Sequence, residues 1–457
     1  MTDETPQDKN EARSTRPASE EFKAFIASSW AEPSDVATTL VAAAPYAAER
    51  RRRLSERFPG VRIVAPAGDL KPRANDTDYR FRPLSDFAYL TGLGADHEPG
   101  AVLVMEPLDG GGHEATLYLI PPAGRDDEGF YADPRSGEFW IGRRPGLAEF
   151  EAMTGITTRP LKELPGGIRV SAHPTKAVQR ALSEMRMVKD AYEIQQLRDA
   201  VAATIAGFER VVRELPRAIE HKRGERVVEA TFDGHAREEG NAVGYETIAA
   251  SGPHATTLHW IRNDGQVRRG DLLLLDAGVE VESLYTADLT RVLPIDGEFT
   301  EVQRRVYDVV LEAADAGFAV AHPGAKFIDV HNAAMDVIQK RLNEWGIVPP
   351  AEDPDARLYR RWMVHSTSHH LGLDVHDCSA AKRELYMEGE LVPGMVFTIE
   401  PGLYFKPDDL AVPEELRGIG VRIEDDVLVT EDGCENLSAA LPRKADDVVE
   451  WMARLRG

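Results

Sequence analysis

Cysteine is nearly absent: the 457 residues hold only Cys378 and Cys434. Two thiols cannot build a disulfide framework or a Cys-based zinc site, and their scarcity fits a reducing compartment, so a cytoplasmic location is expected. Long hydrophobic runs are missing too. No stretch approaches 18 consecutive apolar residues, and the opening Met1-Thr2-Asp3-Glu4-Thr5-Pro6 has no basic start followed by an apolar core. Neither a membrane-spanning helix nor a secretory signal is expected. Positive charge is in deficit, with 54 Lys and Arg against 77 Asp and Glu and a net charge of −23. A surface that acidic repels phosphate backbones and anionic lipid, which takes nucleic acid and membranes off the expected partners.

What is present is an ordinary globular composition, 42% hydrophobic and 29% charged, in a chain too long for one core. The expected division is a disordered polar tail over residues 1–20, an α/β domain over 21–180 and a second domain over 181–457. Residues 35–54 read as a helix whose Arg50-Arg51-Arg52-Arg53 end is solvated. Short β-rich runs at 61–64, 101–105 and 115–120 alternate with helical stretches near 146–153 and 175–185. A helix from near Asp190 to about residue 214 carries Ile194, Leu197, Val201, Ile205, Phe208 and Val212 at helical spacing. Two further helical stretches are expected at 225–239 and 301–345. The fold class is therefore α/β (α+β).

The chemistry collects after residue 250. Leu272-Leu273-Leu274-Leu275-Asp276-Ala277-Gly278 is a buried run ending in a carboxylate, and twelve residues later comes Asp288-Leu289-Thr290-Arg291-Val292. A turn between adjacent strands would let both aspartates face one pocket, although a single Asp before Gly is more often a turn former. Residues 365–377 hold four of the 13 histidines: His365, His369, His370 and His376. One histidine alone is usually structural, but four together point to metal binding or proton transfer. The spacing is not His-Glu-x-x-His, which disfavours a single-zinc helix. Glu400 ends an apolar strand before Pro401-Gly402. In Val421-Arg422-Ile423-Glu424 the period-2 alternation of a strand puts Arg422 and Glu424 on one face. Such a sulfur-free, carboxylate-dominated set suits Mn2+, Co2+ or Zn2+, and it has too many anions for one zinc.

In order, Leu258-His259-Trp260, Asp276-Ala277-Gly278, Asp288-Leu289-Thr290-Arg291, residues 365–377, Thr398-Ile399-Glu400-Pro401-Gly402-Leu403-Tyr404 and Arg422-Ile423-Glu424-Asp425 form a series. That series resembles the pita-bread metallopeptidases, and within them the aminopeptidase P (Xaa-Pro aminopeptidase) family. In the first half, Ser85-Asp86-Phe87-Ala88-Tyr89-Leu90-Thr91-Gly92 and Phe139-Trp140-Ile141-Gly142-Arg143-Arg144 are similar to segments of the same family. Relatives often place an aromatic residue where Ala88 stands, and the gap from Asp276 to Asp288 is one residue longer than in several of them.

The resemblance implies an N-terminal creatinase-like α/β domain and a C-terminal pita-bread catalytic domain. It implies metal ligands at Asp276, Asp288, His369, Glu400 and Glu424. His259, His365 and His376 would orient substrate and stabilise the tetrahedral intermediate, Glu400 would move the water proton, and Arg422 would anchor the carboxylates. Tyr404, Arg143 and Arg144 would lie against substrate. The implied activity is hydrolysis of the N-terminal Xaa-Pro bond by a hydroxide bridging two divalent ions, with Mn2+ expected and Co2+ or Zn2+ the alternatives. Implied partners are peptides with proline in second place and further copies of the chain, as a dimer or tetramer. Prolidase, restricted to dipeptides, shares the ligands and is the nearest rival. A non-catalytic pita-bread binding protein is the rival from another class; such proteins typically lose several metal positions, and all five are kept here.

Overall fold

The computed structural model describes residues 15–17, 19–31, 39–75, 77–95, 97–168 and 170–456. Most of the expected tail, and residues 35–38 of the first expected helix, lie outside the described residues. The chain divides into two units, Met1–Ala181 and Leu182–Gly457, with the division inside helix Lys176–Arg186.

In the first unit, Val102–Pro107 pairs antiparallel with both Ile63–Pro66 and His113–Leu119, and Thr157–Pro160 adds a parallel edge to the latter. The strand Val102–Pro107 buries its first four residues, as a central strand covered on both faces should. Helix Ala44–Arg57 begins with Pro45 in its first turn, where a missing N–H costs nothing. Its arginine run is not wholly solvated. Arg50 and Arg51 are buried and donate to Tyr89 O (3.2 Å) and Leu90 O (2.6 Å), the last carbonyls of helix Ser85–Thr91. Those carbonyls have no intrahelical partner and carry partial negative charge, so they draw two guanidinium groups inward. Arg52 keeps to the surface, paired with Glu49 and Glu56.

The second unit opens with helix Ala191–Glu220. Asp190 accepts from Glu193 N and the Glu193 carboxylate accepts from Asp190 N, both at 3.0 Å, a reciprocal cap. The helix runs past residue 214 and through Pro216 because Leu215 and Ala218 are fully buried and packing outweighs the lost hydrogen bond. Helix Gly224–Glu239 follows. The single stretch expected over 301–345 is two helices, Glu301–Val320 and Phe327–Glu344. Pro323 cannot continue a helix and Gly324 sits at φ 87°, which turns the chain back. The apolar faces of this pair, including Val306, Val310, Ala334 and Ile338, share one core with Leu272, Leu274, Val292 and Val421.

Three small antiparallel sheets pack on this core and on a second one that includes Phe397, Ile399, Val427 and Val429, and a two-residue ladder joins Ala242–Val243 to Val279–Glu280. Leu272–Ala277 lies between Ile248–Ser251 and Leu289–Pro294; Asp425–Val429 lies between Val396–Ile399 and Cys434–Asn436; Gly402–Tyr404 pairs with Gly420–Arg422. The strand expected around 421–427 is thus two strands broken at Ile423-Glu424. The break mirrors Pro401 on the partner chain segment, which has no N–H to give a ladder; Ile423 N instead donates to Pro401 O at 3.3 Å. Among the described residues no helix is long and apolar enough to cross a membrane.

Candidate metal centre

Strand register brings the two aspartates together. Asp276 pairs with Thr290 across the antiparallel ladder, so their side chains share a face, and Asp288 lies two residues before Thr290 on that face. Gly278 makes the return possible, because a Cβ there would stand 1.8 Å from Ala287 O. The third strand partner is a segment rather than a strand. Leu371 N donates to Val396 O (3.1 Å), Thr398 N to His369 O (2.9 Å) and Glu400 N to Thr367 O (2.8 Å), which holds His369 beside Glu400. Glu424 is delivered by the break at 423–424: its N–H donates to Thr290 O (3.1 Å), and its carboxylate accepts from the Thr290 hydroxyl (2.7 Å).

All five expected ligands line one cavity of about 550 Å3, together with His259, His365, His376 and Arg422. His369 Nε2 stands 3.2 Å from Asp288 and 3.6 Å from Glu400. Donor atoms of Asp288, His369 and Glu424 lie within 4.8 Å of one another, close enough to hold one ion between them. Asp276, Asp288 and Glu424 are buried, and the one guanidinium among the described residues of the cavity wall, Arg422, pairs with Asp276.

The electrostatics are those of crowded acids. Burial, then the charges of Asp288, Glu400 and Asp276, pushes Glu424 well above the usual carboxylate range. Burial also raises Glu400 to about 8, although His369 opposes it. Burial lowers the His369 imidazolium, but its bond to Asp288 and the charge of Glu400 outweigh this and raise it to about 9. Without an added cation, the cluster retains protons to relieve its own repulsion.

Arg422 also organises a relay. Its Nη1 donates to the Tyr404 hydroxyl (3.0 Å), which stands 2.8 Å from His365 Nε2. His365 Nδ1 lies 2.5 Å from Ser366 O and so carries the proton, leaving Nε2 to accept from Tyr404. Burial, then the charge of Arg422, holds the His365 imidazolium down at about 3, so the ring is neutral. His376 packs edge-on to His369 with centroids 4.6 Å apart, and burial, then the charge of His369, lowers it as well. Arg143 and Arg144, expected against substrate, belong to the other unit, where Glu149 and Glu98 engage them.

Tyr245 is a member of the centre that no sequence motif announces. Its hydroxyl lies 2.7 Å from Asp276 Oδ1 and 2.5 Å from Asp288 Oδ1, at 31 and 43 residues' separation. Only its place three residues before the buried strand Ile248–Ser251 hints at a core position.

Residues 195–431 match the family described as Metallopeptidase family M24, and residues 47–178 match "Aminopeptidase P, N-terminal domain". Xaa-Pro aminopeptidase 1 of Streptomyces coelicolor is 50% identical, over 96% of this chain and 93% of its own length. Xaa-Pro aminopeptidase of Escherichia coli is 32% identical, over 89% of this chain and 97% of its own. Among solved structures, a variant of Escherichia coli aminopeptidase P in complex with substrate superimposes with a TM-score of 0.78 at 29% identity, covering 92% of this chain and all of that one. Pseudomonas aeruginosa aminopeptidase PepP gives 0.76 at 30%, covering 90% and 98%.

Proposed function

The chain belongs to metallopeptidase family M24 and is a metallo-aminopeptidase acting on Xaa-Pro bonds; we propose that it works with two divalent cations held by Asp276, Asp288, His369, Glu400 and Glu424. The observation that carries this is the convergence of four carboxylates and one histidine in a cavity whose described wall has a single fixed cation. With every acid of that wall ionised, Glu246 and the four carboxylates give −5 and Arg422 gives +1, a sum of −4. One divalent ion leaves that wall anionic, whereas two supply +4. The donors are oxygen and imidazole nitrogen, which fits Mn2+, with Co2+ and Zn2+ as the other candidates. When bound, the pair of ions would supply a deprotonated water at neutral pH and a Lewis acid for the scissile carbonyl.

The chain's own groups do the remaining work. Glu400, whose carboxylate stands 3.6 Å from His369 Nε2, takes the water proton and passes it to the leaving nitrogen. That nitrogen is the proline ring nitrogen, a tertiary amide without N–H, so it must be protonated to leave. His259 or His376 donates to the carbonyl oxygen as charge develops there. The neutral His365, fixed by Tyr404 and Arg422, keeps the wall beside Glu400 in place. The substrate's free α-amine is drawn to the carboxylate-rich floor, which limits cleavage to one residue. A cytoplasmic setting agrees with two free thiols, one buried and one half-buried. A homo-oligomer, dimer or tetramer, is proposed from family likeness alone.

Metal-stripped protein should be inert towards an Xaa-Pro-Yaa tripeptide and recover on adding Mn2+, Co2+ or Zn2+ separately, with the largest recovery identifying the working ion. Asp288→Ala or Glu424→Ala should abolish that recovery and leave the fold intact. Turnover that survives stripping, or a wild-type rate in either variant, would end this reading; tripeptides left intact while dipeptides are cut would favour a prolidase.

A further inference from the structure

His259 lines the metal cavity, yet among the described residues no hydrogen bond or ion pair holds its imidazole. Its position therefore depends on the backbone of residues 251–265. That loop closes on one carboxylate. Glu225, in the first turn of helix Gly224–Glu239, is completely buried and lines no part of the metal cavity. Its Oε1 accepts from Ser251 N (2.9 Å) and stands 2.7 Å from His254 Nδ1; its Oε2 accepts from Trp260 Nε1 (2.9 Å) and Gly265 N (2.6 Å). The four donors span both ends of the loop, and one belongs to the residue directly after His259. His254 and Trp260 also stack at 3.8 Å, so the bonded groups brace each other.

We propose that Glu225 is the positioning residue for His259, tying the loop so that the imidazole faces the scissile carbonyl. This rests on the reading that His259 serves that carbonyl. A fully buried carboxylate with four donors is a demanding arrangement, which a loop needing only to be closed would not require. Gly265 is part of the device: a Cβ there would meet Glu225 Oε2 at 2.7 Å and His254 Cε1 at 2.6 Å.

Glu225→Gln preserves size but turns an amide NH2 towards one pair of donors, so at least one backbone N–H loses its acceptor whichever way the amide points. The variant should lose about 10- to 100-fold in kcat, the scale of a reacting group displaced by about an ångström, with KM, bound metal and thermal midpoint close to wild type. In a His259→Ala background the same change should cost less than about 2-fold, because the group it positions has gone. Gly265→Ala, which leaves the carboxylate untouched, should repeat both results, and decides the matter should Glu225→Gln fail to fold. Losses that multiply in the double variant, or an unchanged kcat in both single variants, would overturn the proposal. A His259→Ala chain with unaltered kcat would instead strike the reading of His259 itself, and the proposal with it.

Discussion

Tyr245 has one phenolic proton and two aspartate oxygens within 2.7 Å. It can donate to only one of them, and burial, then the aspartates' charge, holds its own proton on firmly. Its service is to fix the angle between Asp276 and Asp288. Tyr245→Phe should keep the fold and lower metal affinity by about 10- to 100-fold, as other losses of a ligand's supporting partner do. Calorimetric titration of stripped protein with Mn2+ checks this, and an unchanged affinity would remove the tyrosine from the centre. Asp425 answers a different question. It is buried between Arg291 (2.6 Å) and Arg443 (2.7 Å), and although burial opposes its ionisation, the two guanidinium groups hold its carboxyl below the usual range. Arg291 is wholly buried and also donates to Glu424 O at 2.6 Å. Asp425→Ala strands that guanidinium, at a cost of about 3–5 kcal/mol, which urea unfolding should read as a lower midpoint at equal slope. Proposed ligands such as Asp276 and Glu400 are legible in the sequence because each stands at the end of an apolar run. Tyr245, Glu225 and Asp425 are not, because their meaning lies in partners far along the chain.

Elements obey their periodicity wherever one face of a helix or strand is buried, as in Ala191–Glu220 and Leu272–Ala277. The helix pair after residue 300 reads as one stretch although Pro323-Gly324 marks the break, because apolar spacing continues on both sides of it. The buried arginines of Ala44–Arg57 have no local signal, since the carbonyls that attract them end another helix. Two glycines put the same logic to a test. Gly278 holds the hairpin that aligns Asp276 with Asp288, and a Cβ has no room against Ala287 O. Gly234 lies within helix Gly224–Glu239, and nothing stands within 4 Å of where a methyl group would project. Gly278→Ala should abolish metal-dependent turnover and depress the thermal midpoint, while Gly234→Ala should raise stability by about 0.4–1 kcal/mol. Thermal melts of the two, beside wild type, would show opposite signs; a tolerated Gly278→Ala would mean that the strand register does not set the centre.

At the scale of the whole molecule, the acidic composition and the centre meet in one consequence. The cluster's carboxylates are raised in the folded chain without its ions: Glu400 to about 8, and Glu424 and buried Asp426 well above their ordinary range. An unfolded Glu or Asp titrates near about 4. Below about pH 6.5, where an unfolded imidazole is protonated, the depressed histidines His331, His365, His370 and His376 oppose these raised carboxylates. Above it the raised groups, His369 among them, act alone: the folded chain binds more protons than the unfolded one, and stripped protein loses stability as pH rises. Cations replace those protons and reverse the trend, because they bind the ionised oxygens that high pH exposes. At free metal about 100-fold above the dissociation constant, each site adds about 2.7 kcal/mol. The thermal midpoint of stripped protein should therefore fall from about pH 6.5 to about pH 8, and the gap between stripped and Mn2+-loaded protein should widen over the same range. Parallel curves, with a gap that ignores pH, would mean that protons and metal do not compete for these carboxylates.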